Sequence, residues 1–247
     1  MRRRNLFAAP ALAFPPAGHA AGRAAPVVAS PVAVPPVVPS LVVVELFTSQ
    51  SCSSCPPADA FLEELVRGRP EVLALSFHVT YWNRLGWRDR FSLEEATARQ
   101  RGYAATLGHG QVYTPQMVVQ GRQDAVGSDR RAVLAAIGDA APAAVAVAIA
   151  PSPDGGAVRV EAAAGAVAGS AAGTLWLLGY DRRQATPVGG GENGGRTLAH
   201  ANVVRGIVRL GAWRGERMQA AGARPPGERL AALVQAADGA ILGAATA

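Results

Sequence analysis

Two cysteines occur in this chain of 247 residues, and both lie in the run Ser51-Cys52-Ser53-Ser54-Cys55-Pro56. A C-x-x-C spacing admits three chemistries: a redox dithiol, half of a metal site, or two incidental thiols. With no third cysteine, the one intrachain disulfide open to the chain joins these two. Such near neighbours close almost no loop, so the bond would remove little entropy from the unfolded chain. Stability is a poor reason for the pair, and its surroundings must decide.

Those surroundings are a strand followed by a helix. Leu41–Phe47 is an apolar, β-branched run, as expected of a buried parallel strand. Thr48–Ser51 makes the turn. Ala58, Phe61, Leu62, Leu65 and Val66 then recur at helical spacing up to Gly68. Pro56 and Pro57 suit a first helical turn, whose N–H groups have no partner in any case. Cys52 is therefore expected at or just before a helix N-terminus, where unpaired N–H groups and the helix dipole stabilise a thiolate. Disulfide exchange needs that placement. The thiolate nearer solvent attacks, and the one a turn further on resolves the mixed disulfide.

The next elements extend the pattern. Glu71–Val79 reads as a second central strand, and Ser92–Leu107 as a helix with Ser92 and Glu95 forming a capping box. Tyr113-Thr114-Pro115 leads into a strand at Gln116–Val119. A short strand follows near Asp124–Val126, and Ser128-Asp129 caps a helix over Arg130–Ile137. The order β-α-β-α-β-β-α is that of the thioredoxin fold. In that fold a cis-proline precedes the third strand and faces the C-x-x-C, and Thr114-Pro115 occupies that place.

Residues 41–138 resemble the secreted thioredoxin-like proteins grouped as domain of unknown function 1223. The matching stretches are Glu45–Asp59 (ELFTSQSCSSCPPAD), Phe77–Trp87 (FHVTYWNRLGW) and Val112–Gln116 (VYTPQ). A later stretch, Gly191–Arg196 through His200–Val204, also looks like that family, so the likeness covers most of the chain after residue 40. The resemblance implies fold and export but no reaction. The wider thioredoxin class implies Cys52 as nucleophile, Cys55 as resolving thiol and Pro115 as the cis-proline. Thr114, Tyr113, His78 and Trp82 are the neighbours expected to bind substrate or tune the pair. The chain departs from ordinary thioredoxin in having Ser51 where a Trp stands and Ser53-Ser54 in place of Gly-Pro. The buried acid of thioredoxin falls at Leu46. Glu45 lies one residue earlier, and strand alternation turns it to the other face. No proton-shuttle role passes to Glu45.

Other polar residues admit a bland and a sharp reading. His78 lies near the carboxyl end of the second strand, where open α/β sheets place their sites; it is either a hydrogen-bonded structural histidine or a tuner of the cysteines. His109 reads as an exposed loop residue. A Cys52/Cys55/His set has ligand types for Cu(I) or Zn(II), but there is no second C-x-x-C or paired-His motif, so no metal and no cofactor is assigned. Tyr81, Trp82, Trp87 and Phe91 either line a groove for an apolar or extended polypeptide or pack an inserted helix. Gly189-Gly190-Gly191 with Gly194-Gly195 lacks the Lys and Ser/Thr of a phosphate loop. Glu192, Asn193, Arg196 and His200 nevertheless form a dense polar set, expected as a loop lying across the cysteine site. No Gly-x-Ser-x-Gly elbow supports a hydrolase.

Composition narrows the class. Hydrophobic residues make up 49% and charged residues 17%, too apolar for a disordered chain, and Pro and Gly interrupt every run before a bilayer is spanned. The net charge is +6 and every basic residue is Arg. Four of these (Arg2, Arg3, Arg4, Arg23) fall in the acid-free first forty residues; the other twenty basic and eighteen acidic residues leave +2. No face of clustered Arg and aromatics marks a nucleic-acid partner.

Residues 1–25 read as an export signal, with Arg2-Arg3-Arg4, a short apolar stretch Leu6–Phe14 and a small-x-small site at Gly18-His19-Ala20. Residues 26–40 read as a Pro/Val/Ala-rich linker. From residue 139 to 247 the texture becomes short apolar strands between Pro, Gly and Asp turns, Asp154-Gly155 and Asp238-Gly239 among them. Arg229–Ala237 reads as strand. The expectation is an α/β thioredoxin-like domain over 41–138, a central mixed sheet with flanking helices, followed by a small antiparallel β-sandwich-like domain over 139–247. The expected function is that of a periplasmic or secreted thiol–disulfide oxidoreductase acting on a disulfide-bearing protein or small thiol. The alternatives are a non-catalytic binding protein or metallochaperone, or an envelope interaction module.

Overall fold

Strand β1 (Val42–Thr48) is buried along its whole length in the computed structural model, which describes residues 41–151, 156–165 and 173–247. An uninterrupted apolar run is what a strand covered on both faces requires. It lies parallel to β2 (Val72–His78), with Thr48 registered on His78. Antiparallel to β1 on its other side is β3 (Gln116–Val119), followed at the edge by β4 (Gln123–Val126). Helix α1 (Pro56–Gly68) joins β1 to β2, α2 (Glu94–Thr106) joins β2 to β3, and α3 (Arg130–Asp139) follows β4. The element order expected for the first half is therefore present.

Strand alternation sorts the core into two faces. Val42, Val44 and Leu46 of β1 pack with Phe61, Leu62 and Leu65 of α1 and with Val133 and Ile137 of α3. Val43 and Phe47 pack on the opposite side with Leu75 and Phe77 of β2 and with Tyr103 of α2. The sequence predicts side-chain caps for α2 and α3. Asp129 caps α3, its carboxylate accepting from the Ala132 N–H at 3.0 Å. Ser92 does not cap α2: Leu93 is the N-cap residue, and the Ser92 hydroxyl donates instead to the Asp89 carbonyl and accepts from Asn83 Nδ2. The loop ahead of α2 competes for that hydroxyl and wins it.

The second half supplies β5 (Val147–Pro151), β6 (Ala157–Ala162), β7 (Gly173–Pro187), β8 (Thr197–Trp213), β9 (Met218–Ala223), β10 (Arg229–Ala236) and β11 (Ile241–Thr246). Arg229–Ala236 is a strand, as read, and turns at Asp238-Gly239 into β11; the expected Asp154-Gly155 turn lies outside the described residues. The expectation of a separate domain from residue 139 is revised. Strands β7, β8, β10 and β11 join the first four in one eight-stranded sheet, ordered β11-β10-β7-β8-β2-β1-β3-β4, and the described residues form one compact unit. The physical reason is the edge of β2. Val203 of β8 pairs with Ser76, which caps an otherwise open edge, and Tyr180, Val204, Ala231 and Leu233 complete the core begun by Phe47 and Phe77. The sandwich survives only locally. β5, β6 and β9 form a small sheet that packs Val147, Val158 and Val160 against Leu175 and Leu177 of β7 and Ala232 and Val234 of β10.

Candidate functional site

The cysteine loop sits at the carboxyl end of β1. Cys55 is the N-cap residue of α1, with Pro56 and Pro57 in the first turn, and the Ala58 and Asp59 N–H groups donate back to its carbonyl. Cys52 lies three residues before Cys55 and is joined to it by a disulfide, with 5.5 Å between Cα atoms. Opposite them the Thr114–Pro115 peptide is cis. The Thr114 hydroxyl lies 3.4 Å from Cys52 Sγ and accepts at 2.7 Å from the Trp82 indole N–H. Thus Cys52, Cys55, Thr114, Pro115 and Trp82, all nominated from sequence, meet in one place. Tyr113 does not meet the sulfurs: its hydroxyl donates to Asp124 at 2.7 Å. Burial, with that hydrogen bond second, pushes its phenol above the usual range. His109 is held to the same carboxylate at 2.7 Å, so it is half-exposed but paired.

The cysteine loop is anchored from elsewhere at several points. The Gln50 N–H donates to Asp89 Oδ2 at 2.8 Å, the Ser51 hydroxyl donates to the Trp87 carbonyl, and the Trp87 indole donates to Gln50 Oε1. A strap over residues 188–196, the tip of the long β7–β8 hairpin, closes from the other side. Asn193 Nδ2 donates to both the Gln50 and the Cys52 carbonyls, at 3.0 and 2.8 Å. Glu192 accepts from the Ser53 N–H at 2.8 Å, and that bond lowers its carboxyl below the usual range. Arg196 in turn donates to Asn193 Oδ1. The loop expected to lie across the site does so. Its approach is close enough that Gly191, at φ +67°, has Ser51 Oγ only 2.9 Å from where a Cβ would sit. The result is a sealed pair: Cys52 and Cys55 are both 0% exposed, while Ser53 and Ser54 between them face solvent.

Behind the disulfide lies a buried set of titratable groups. His78 is fully buried, and its Nδ1 is 2.6 Å from Asp89 Oδ2. Burial alone would raise the Asp89 carboxyl; His78 and the Gln50 and Phe91 N–H groups outweigh it and hold the carboxyl low. The His200 ring of β8 meets that of His78 edge-on, with centroids 4.6 Å apart, and Phe91 packs edge-on against both. His200 Nδ1 lies 3.5 Å from Asp59 of α1, near enough for ion pairing and long for a hydrogen bond. Burial opposes charge on His200, but Asp59 and then Asp89 prevail and raise its pKa. Phe91 is thus interior and lines no groove, whereas Tyr81, Trp82 and Trp87 are half-buried around the site. Among the described residues no three His, Cys, Asp or Glu side chains gather as a metal-binding set.

Sequence reasoning placed His78 and His200 but missed Asp59 and Asp89. Asp59 carried a signal: an acid four residues after Cys55 on the apolar face of a helix. Asp89 carried none, because only folding brings its loop under Gln50.

A fully buried C-x-x-C disulfide beside a cis-proline, at the carboxyl edge of a mixed sheet, defines the class of site. By sequence the chain belongs to the family of proteins of unknown function DUF1223, whose profile matches residues 43–235. A crystal structure of a protein from Agrobacterium tumefaciens is similar at 31% identity, covering 83% of this chain and 92% of that one, with a TM-score of 0.68. HBP35 of Porphyromonas gingivalis is similar in fold at 17% identity, covering 85% of this chain and 75% of that one, with a TM-score of 0.56. No curated protein matches the chain. Among the described residues no helix is long and apolar enough to cross a membrane.

Proposed function

We propose that this protein is an exported thiol–disulfide oxidoreductase built on a thioredoxin-like fold. The observation that carries the reading is the Cys52–Cys55 disulfide at the start of α1 with Thr114 Oγ1, of the cis Thr114–Pro115 peptide, 3.4 Å from Cys52 Sγ. In the reducing direction the Cys52 thiolate attacks a substrate disulfide and expels one substrate thiolate. The Cys55 thiolate then attacks Cys52 Sγ, expels the second, and leaves the Cys52–Cys55 bond. The reverse sequence oxidises two substrate thiols. Pro115 and Thr114 form the edge on which the substrate chain lies, and Trp82 orients the Thr114 hydroxyl. The charged and apolar segments of residues 1–25 support export to the periplasm or beyond.

One observation favours a second reading. Both sulfurs are wholly buried, so exchange requires the strap or the Thr114–Trp82 lid to move. A disulfide that never opens would make this a binding or interaction module. The test is a redox titration of the full chain in glutathione buffers, with free thiols alkylated and counted by intact mass. Reversible conversion between about −120 and −270 mV supports exchange. A bond that survives below about −300 mV assigns the structural role.

A further inference from the structure

A groove of about 520 Å³ runs between α2 and strands β7, β8 and β10, and it shares no lining residue with the cysteine loop. That volume lies within the ordinary range of small-molecule sites. Thr174 and Trp176 of β7 and Ile207 and Arg209 of β8 line its sheet side. Arg99, Tyr103 and Gln235 also line it, and they hydrogen-bond to one another. This part of the lining is therefore held in one arrangement before anything binds.

Gly102 shows that the groove is kept open. Glycine in a helix interior is less stable than alanine, and a positive φ or a close neighbour usually explains it. Neither applies here. Gly102 is inside α2, and nothing lies within 4 Å of where a Cβ would sit. At about 100° per residue, Ala98, Gly102 and Thr106 fall on one face of the helix, between Glu95 and Arg99, and that face lines the groove. A side chain at Gly102 would project into the space. The helix gives up stability at the position where doing so leaves the groove clear.

The polar groups say what would enter. The Trp176 indole N–H is buried and has no hydrogen-bond partner, an arrangement that leaves its desolvation cost unmet. Arg209 stands directly across the β7–β8 ladder from Trp176, on the same face of the sheet. It makes no hydrogen bond or ion pair among the described residues. The charge of Arg99 is already met by Glu45, to which its Nε and Nη2 donate. Glu95 sits in the first turn of α2, where the helix dipole favours a carboxylate. Arg209 is thus the cation left for a ligand. We propose that the groove binds a flat, apolar small molecule carrying one anionic group. Its rings lie along Trp176 beneath Gly102, its anion meets Arg209, and an acceptor beside that anion takes the Trp176 N–H. This site is separate from the disulfide and does not depend on the exchange function.

The experiment titrates the oxidised full chain with 8-anilinonaphthalene-1-sulfonate, a flat aromatic anion, and follows its fluorescence. One equivalent should bind saturably. N-phenyl-1-naphthylamine, the same ring system without the sulfonate, should bind about tenfold more weakly, the size of one charge-assisted hydrogen bond. Arg209→Gln should weaken the sulfonate by the same factor and leave the neutral dye unchanged. Trp176→Phe keeps a ring but removes the N–H, and should weaken the sulfonate about fivefold. Gly102→Ala should weaken binding and Gly102→Leu abolish it. Both should melt no lower than wild type, because the helix interior gains a better helix former, so the loss is not one of folding. Absence of one-equivalent binding by wild type, or unchanged affinity in Gly102→Leu, overturns the site. Equal affinity for the two dyes overturns the anionic ligand.

Discussion

The sheet carries a buried ionic cluster on each face, and the two are built by opposite rules. On the α2 face Glu45 accepts from Arg99 Nε and Nη2 and from the Tyr103 hydroxyl, Arg99 Nη1 donates to Gln235, and Gln235 Nε2 donates to Tyr103 and to the Gly239 carbonyl. The guanidinium also lies within 6 Å of the Phe77, Tyr103 and Trp176 ring centroids. The carboxylate and the guanidinium are each fully engaged. On the α1 face His200 Nδ1 stands 3.5 Å from Asp59 Oδ1, and Asp59 Oδ2 and the Nε2 atoms of His200 and His78 have no hydrogen-bond partner. A satisfied network locks one arrangement, while the looser pairing of His200 with Asp59 leaves a histidine whose pKa is raised. The difference makes the first cluster scaffolding and the second the pH-sensitive part of the fold.

That contrast can be broken at several points. The largest effect should come from Arg99→Met, which strands Glu45 as an unpaired buried charge. Chemical denaturation should show a loss of about 3–5 kcal/mol, largely restored by adding Glu45→Leu. If the single variant unfolds no more easily than wild type, the scaffold role is wrong. Next, Gly191→Ala forces a Cβ against Ser51 at a left-handed φ. It should cost about 1–2 kcal/mol and, by lifting the strap, make the disulfide reduce faster with dithiothreitol; an unchanged reduction rate would mean that the strap does not gate the sulfurs. Asn193→Ala withdraws the donor to the Gln50 and Cys52 carbonyls. It should cost about 1 kcal/mol and speed reduction in the same sense, though less.

His200 has a folded pKa above its ordinary value of 6.5. The stability it contributes is complete below that ordinary value and is lost as pH rises through the raised folded one. The melting temperature should therefore fall over that interval, and His200→Gln should flatten the fall. Smallest is Arg122→Ala at the exposed Arg122–Asp238 pair, where both side chains are about half-exposed. It should change stability by roughly 0–0.5 kcal/mol, as measured by denaturation.

Much of the site could be read in advance, because its parts are local. The Cys52–Cys55 spacing, the prolines that start α1, the Thr114–Pro115 step before β3 and the Asp129 cap each need only a few neighbouring residues to act. Alternation along β1 also sufficed to put Glu45 on the face away from α1, where it lies. The misreadings involve distant partners. The capping box at Ser92 failed because Asp89 and Asn83 claimed the hydroxyl. The boundary at residue 139 failed because β8 found the open edge of β2.

By itself, then, the sequence determined the strands and helices of the first half, the strand character of the second, and the cysteine pair with its proline. Those follow from hydrophobic period, turn chemistry and backbone preference, which act over one or two turns. Tertiary structure alone decided that the second half extends the first half's sheet and which bonds Asn193 and Glu192 make to the cysteine loop. It also decided that Asp59, Asp89, His78 and His200 share one dry interior. These groups come from α1, the loop before α2, β2 and β8, and pairing across such distances in the chain depends on which edge is open and which face is left to bury.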